Sequence, residues 1–131
     1  MAKKILIIED QAQLRYLIAL TLRYMNYEPL EAEDGYAGIQ TSLAEHPDLV
    51  LLDLGLPGLS GIDTAKKLKE NPQTVQIPIV ALTGWEPRLF EAKARQVGMA
   101  DYLQKPVSLA TIIERIESLT RPNTSQFSKS I

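Results

Sequence analysis

Five times along this 131-residue chain a short strand-like run gives way to an amphipathic stretch. Few architectures can absorb that rhythm. Ile5–Ile8, Glu28–Ala32, Leu49–Leu52, Ile77–Leu82 and Ala100–Leu103 read as strands, and helices are predicted over 11–25, 34–45, 62–70, 86–97 and 107–119. In the first helix Leu14, Leu17, Ile18, Thr21 and Met25 keep helical spacing, and in the last Leu109, Ile112, Ile113, Ile116 and Leu119 do. The first, third and fourth strands are continuously apolar, the pattern of strands covered by helices on both faces. The second, within "YEPLEAE", is polar and carries Pro29, which suits an edge. Repeated βα units argue for a parallel sheet joined by right-handed crossovers.

In an open parallel sheet, ligands bind beyond the carboxyl ends of the strands. Here those ends are "ED" (Glu9, Asp10), Asp53 of "VLLDLGLPGLSG", "TG" (Thr83, Gly84) and "QKP" (Gln104, Lys105, Pro106). Each residue alone has an ordinary reading: Asp10, Asp53 or Thr83 as a helix N-cap, Lys105 as a solvated loop charge. Their joint arrival at one rim favours a site. Clustered carboxylates repel one another unless a cation joins them. An oxygen-only donor set suits Mg²⁺, which often takes phosphoryl oxygens as further ligands. An aspartate so neutralised is a competent nucleophile toward phosphorus, with Lys105 and Thr83 of the right types to meet the phosphoryl oxygens.

The acid pair after the first strand, "LLDLGLPGLSG", "ALTG" and "YLQKP" together resemble the receiver domain of two-component response regulators, over roughly residues 3–120. The resemblance implies a flavodoxin-like α/β fold: a doubly wound, five-stranded parallel sheet in the order 2-1-3-4-5 with helices on both faces. It implies Asp53 as phosphoacceptor, Asp10 as direct ligand of Mg²⁺ (or Mn²⁺), Glu9 acting through water, and the Gly55 backbone carbonyl as a further ligand. Thr83 and Lys105 would bind the phosphoryl group, and Thr83 with Tyr102 would form the switch. A cis peptide is expected between Lys105 and Pro106. Gly55 and Trp85 occupy two positions that vary among receivers and are expected to tune the lifetime of the phosphoryl group. Without the resemblance Tyr102 reads as strand filler, and Trp85 as a residue packed on the fourth helix or serving a partner. Glu9 stands where aspartate is commoner, a departure the family tolerates.

Other residues fit blander roles. His46, the sole histidine, precedes Pro47 in a loop and reads as solvated. Gly58 and Gly61 fit a turn that needs unusual backbone angles or close approach, and no P-loop spacing surrounds them. A small Mg²⁺-dependent phosphohydrolase working through an aspartyl phosphate is the competing function. Its usual second acid, two places after the nucleophile, is here Gly55. A flavin carrier would want a Ser/Thr-rich loop after the first strand, where "EDQAQ" would repel phosphate.

Composition narrows the partners. A formal charge of −2 without a basic block gives direct nucleic-acid binding little support. "MAKKILIIED" has too short an apolar run for a signal peptide or membrane span, and with no cysteine a cytoplasmic location is the expectation. The expected donor is a histidine kinase or histidine phosphotransfer protein, and the target a protein as yet undefined. Residues 1–120 are read as one receiver domain and 121–131, rich in Ser and Thr, as a flexible tail. A chain of this length is expected to work through protein–protein contact or to be part of a longer one.

Overall fold

The computed structural model describes residues 2–121; the tail expected to be flexible lies outside the described residues apart from Arg121. The elements run β1 (Lys4–Ile8), α1 (Ala12–Tyr24), β2 (Glu28–Ala32), α2 (Gly35–Glu45), β3 (Leu49–Asp53), α3 (Gly61–Glu70), β4 (Ile79–Thr83), α4 (Pro87–Val97), β5 (Asp101–Gln104) and α5 (Leu109–Thr120). All strand pairs are parallel, in the order β2-β1-β3-β4-β5. The polar, proline-bearing β2 is an edge, as its composition requires.

Alternation along the central strands feeds two cores. Ile5, Ile7, Leu49, Leu51, Val80 and Leu82 pack with Ile18 and Leu22 of α1 and Ile112, Ile113 and Ile116 of α5. Leu6, Ile8, Val50, Leu52, Ile79 and Ala81 pack on the other face with Ala65 and Leu68 of α3 and Phe90 and Ala94 of α4, and Ala37 and Ile39 of α2 join them. Burying both faces of β1, β3 and β4 is what forces those strands to be apolar at every position. Among the described residues, no helix is long and apolar enough to cross a membrane.

Several boundaries differ from the sequence reading, each for a local reason. β4 starts at Ile79, not Ile77. The Ile77 carbonyl is taken by the Lys69 ammonium at 2.7 Å and its N–H by the Thr74 carbonyl, and Pro78 has no N–H to give the ladder. β5 runs one residue later than expected, Asp101–Gln104, carrying Gln104 opposite Thr83. α5 begins at Leu109 because Ser108 caps it by accepting from the Thr111 N–H at 3.1 Å. α2 and α3 begin likewise after Asp34 and Ser60, whose side chains accept from the Ala37 and Asp63 N–H groups.

Only part of the helically spaced set on α1 reaches the core, Ile18 with Leu14 packed beside it. Ile18, Ala19 and Leu22 are buried, whereas Leu17 and Met25 are exposed. Tyr16, Leu17, Leu20 and Tyr24 form a second apolar stripe beside the buried one. Helical periodicity alone does not say which of two adjacent stripes meets the sheet.

Candidate functional site

β1, β3, β4 and β5 are in register, so their carboxyl ends share one rim. Glu9 and Asp10 follow β1, Asp53 ends β3, Thr83 ends β4 and Lys105 follows β5. The ordinary readings of these residues do not hold. α1 begins after Gln11, α3 after Ser60 and α4 after Glu86, so Asp10, Asp53 and Thr83 cap no helix. Lys105 is not a solvated loop charge: its Nζ lies 3.3 Å from Asp53 Oδ1 and 3.6 Å from Glu9 Oε1.

Carboxylate oxygens of Glu9, Asp10 and Asp53 lie within 4.8 Å of one another. Glu9 and Asp53 are buried and Asp10 is exposed. Glu9 Oε2 accepts from the Gln11 N–H at 3.1 Å, but the buried Glu9 Oε1 has no hydrogen-bond partner. Lys105 is within ion-pair reach of it yet too far to donate a hydrogen bond. Burial pushes the Glu9 carboxyl from its ordinary 4.5 up to about 7, and the neighbouring carboxyl groups of Asp53 and Asp10 reinforce the rise. The Gln11 N–H and Lys105 oppose it. Three carboxylates with an orphaned oxygen among them fit a hard divalent cation, which would satisfy that oxygen and relieve the repulsion.

The loop after β3 holds Asp53 from behind. Asp53 Oδ1 accepts from the Gly55 N–H at 3.1 Å. Gly61, the first residue of α3, leaves no room for a side chain: a Cβ there would sit 2.5 Å from Leu54 Cα and 2.7 Å from the Asp53 carbonyl oxygen. Gly58 takes φ +72°, the left-handed turn that suits glycine. Both expectations about this turn are therefore met, one at each glycine.

On the β4 side, Thr83 is buried and its Oγ1 accepts from the Trp85 N–H at 2.9 Å. Trp85 is 45% exposed and meets Phe90 edge-on, with centroids 6.4 Å apart. Phe90 in turn meets Tyr102 edge-on at 5.2 Å. Three aromatic rings thus run from the site rim across α4 to β5. Phe90 was missed in the sequence; its only signal there was an aromatic within a helix that begins just after the Thr83 strand. Tyr102 is half-buried, and its backbone N–H donates to its neighbour Asp101, which Arg115 of α5 pairs.

The Lys105 N–H donates to the Thr83 carbonyl at 2.7 Å, and the Lys105–Pro106 peptide is cis. His46 lies elsewhere, exposed at the C-terminus of α2 in a left-handed conformation.

Comparison with known proteins came out consistently. A family model described as the response regulator receiver domain matches residues 5–117. The phosphate regulon transcriptional regulatory protein PhoB of Pseudomonas aeruginosa is 40% identical over 119 residues, 91% of this chain and 52% of that protein. The chain spans about half the length of the PhoB relatives it matches. The polar-differentiation response regulator DivK of Brucella ovis is 32% identical over 90% of this chain and 96% of its own length. Among solved structures, chemotaxis protein CheY4 of Vibrio cholerae superposes with a TM-score of 0.86 at 23% identity, covering 91% of this chain and 99% of that one. The receiver domain of sensor histidine kinase PA1611 from Pseudomonas aeruginosa, with a magnesium ion coordinated in its active-site cleft, gives 0.83 at 25% identity, covering 93% and 100%.

Proposed function

This chain belongs to the response regulator receiver domain family, and from that premise we propose that Asp53 is its phosphoacceptor and that residues 1–120 form the receiver unit. The protein is a phosphoacceptor of two-component signalling, and nothing favours the phosphohydrolase alternative. One observation carries the residue assignment: the Lys105 ammonium stands 3.3 Å from Asp53, beside two further carboxylates. That arrangement presents a nucleophilic oxygen and a fixed cation to an incoming phosphoryl group.

An Asp53 carboxylate oxygen attacks phosphorus while the bond to the donor's imidazole nitrogen breaks, and that nitrogen keeps the electron pair. The product is an acyl phosphate on Asp53. Asp10, Asp53, the Gly55 carbonyl and, through water, Glu9 would hold Mg²⁺, or Mn²⁺ in its place. A divalent cation bound there supplies positive charge against the phosphoryl oxygens. Lys105 supplies a second positive charge from the β5 side, already in place before transfer. Thr83 is the hydroxyl donor. Its oxygen now accepts from the Trp85 N–H, so donating to a phosphoryl oxygen draws on the hydroxyl proton that this contact leaves free.

The new charge of about −1.5 to −2 draws Thr83 toward Asp53, and Tyr102 follows through Phe90. The consequence is a population shift on the α4–β5–α5 surface, where the target protein is read as binding. The donor is a histidine kinase or a histidine phosphotransfer protein, the setting is the cytoplasm, and the protein catalyses its own phosphoryl transfer and slow loss.

The test uses Mg²⁺ and acetyl phosphate. Intact-mass measurement should show one added phosphoryl group on the wild type and none on Asp53→Asn. Equal modification of the Asn variant would remove Asp53 from the role.

A further inference from the structure

A side chain that plays no part in the chemistry above contacts the backbone of the acid pair. Arg15 lies in the first turn of α1, whose N-cap, Gln11, makes no side-chain cap bond and whose first turn carries no acid. The guanidinium turns back toward the sheet. Its Nη1 donates to the backbone carbonyl of Glu9 at 2.7 Å, and its Nε donates to Glu31 Oε1 of β2 at 3.1 Å. The side chain is only 17% exposed.

The Glu9 carbonyl belongs to the peptide that joins Glu9 to Asp10. Upstream, the chain is tied by the Glu9 N–H to the Ala32 carbonyl at 3.0 Å, and the Glu9 carboxylate is tied to the Gln11 N–H. The plane of the Glu9–Asp10 peptide is the remaining freedom, and it sets the direction in which Asp10 projects. A planar fork that donates to two partners at once fixes that plane as a point charge would not. Because Glu31 pairs with the guanidinium, the contact adds little net positive charge beside a site meant for a cation. Its contribution is orientation.

We propose that Arg15 is a positioning residue for the divalent-cation site, acting through the Glu9 carbonyl to aim Asp10. The inference rests on reading Glu9, Asp10 and Asp53 as that site. Groups that orient metal ligands from behind typically change affinity by about 10- to 100-fold when removed.

Titration of the full chain with Mg²⁺ alone, followed by the fluorescence of Trp85, the sole tryptophan, and by calorimetry, measures the effect without any phosphodonor. Arg15→Ala should raise the Mg²⁺ Kd about tenfold. Glu31→Gln, which leaves the carbonyl contact in place, should stay within about twofold. Arg15→Lys, which keeps the charge but not the fork, should fall between them and serves as the working variant if Arg15→Ala does not fold. Urea unfolding without metal separates a structural role. A variant that loses stability but keeps the wild-type Kd, or an Arg15→Lys indistinguishable from wild type, would overturn the proposal. Equal losses in Glu31→Gln and Arg15→Ala would also overturn it, because they would assign the effect to the α1–β2 ion pair. A wild type with no Mg²⁺ response would instead overturn the reading of the acid triad itself.

Discussion

The β3–α3 connection closes against its own strand at Gly61, where α3 begins, whereas the β4–α4 connection has room at Gly84. At Gly61 a Cβ would collide with the backbone of Asp53 and Leu54, while Leu54 and Leu56 are buried beside it. Ser60 caps the helix that follows. At Gly84 a Cβ would meet nothing within 4 Å, and α4 starts without a side-chain cap bond. The first connection packs α3 directly against the backbone of Asp53, the proposed acceptor. The second follows Thr83, the buried last residue of β4, and carries Trp85, which is exposed. With the roles proposed above, the acceptor and the responding hydroxyl stand at adjacent strand ends, Asp53 on β3 and Thr83 on β4, and the two junctions that follow them differ in the room they leave.

Adding one methyl group to each loop tests that contrast most severely. Gly61→Ala should lower the unfolding free energy by about 3 kcal/mol, since the obstacle is backbone that cannot swing aside. Gly84→Ala should stay within about 0.5 kcal/mol. Urea denaturation of the two variants gives both numbers. Similar losses would erase the distinction.

The β1–β3 rim also carries the burial of an acid, and pH exposes it. Burial raises the Glu9 carboxyl to about 7 against an ordinary 4.5, so the fold favours its neutral form. The stability this neutral form contributes is complete below pH 4.5 and is lost as pH rises through 7. In EDTA at pH 8, Glu9→Gln should therefore be more stable than wild type by roughly 3 kcal/mol, and the two should converge near pH 4. A constant difference across that window would show that Glu9 carries no such penalty.

The same two loops show what a sequence can disclose. The sheet was legible because β1, β3 and β4 are buried on both faces, which forces unbroken apolar runs between turn residues. The site was legible because its chemistry sits at strand ends, and strand ends can be found from those runs. What escaped depends on direction rather than pattern. The exposed stripe Tyr16, Leu17, Leu20, Tyr24 has helical spacing as good as that of the buried one, and only the sheet's position chooses between them. Arg15 and Phe90 act across elements, and nothing in their sequence neighbourhoods names Glu9 or Tyr102 as the partner. The β4 boundary failed at Ile77 because a lysine eight residues earlier captures its carbonyl.

Phe90 touches both Trp85 and Tyr102, so trimming it should loosen the proposed switch while sparing Asp53. Phe90→Leu keeps most of the volume and should cost about 1 kcal/mol. Its edge contacts with Trp85 and Tyr102 would be gone. Trp85 emission should shift to the red, and the NMR shift of Tyr102 on phosphorylation should shrink, with the Mg²⁺ Kd unchanged. A Tyr102 response as large as in wild type would show that Phe90 does not transmit the change.

The smallest effect on stability, and the most specific on function, is expected at Trp85. Trp85 is 45% exposed, so Trp85→Ala loses its edge contact with Phe90 but no fully buried group and should shift the unfolding free energy by less than about 1 kcal/mol. Loss of the phosphoryl group needs a water in line with phosphorus, opposite the Asp53 oxygen. Gly55, two residues after Asp53, offers no side chain to orient that water. Trp85, two residues after Thr83, donates its backbone N–H to the Thr83 hydroxyl, and its ring is braced by Phe90. A braced indole at the rim excludes water better than a free one. Dephosphorylation should therefore be slow in the wild type and about tenfold faster in Trp85→Ala, corresponding to roughly 1.4 kcal/mol of barrier. Phe90→Leu, which frees the indole without deleting it, should fall between the two. Following intact mass after removal of acetyl phosphate measures all three rates. Equal decay in wild type and Trp85→Ala would assign the indole to packing on α4 and leave the phosphate unguarded.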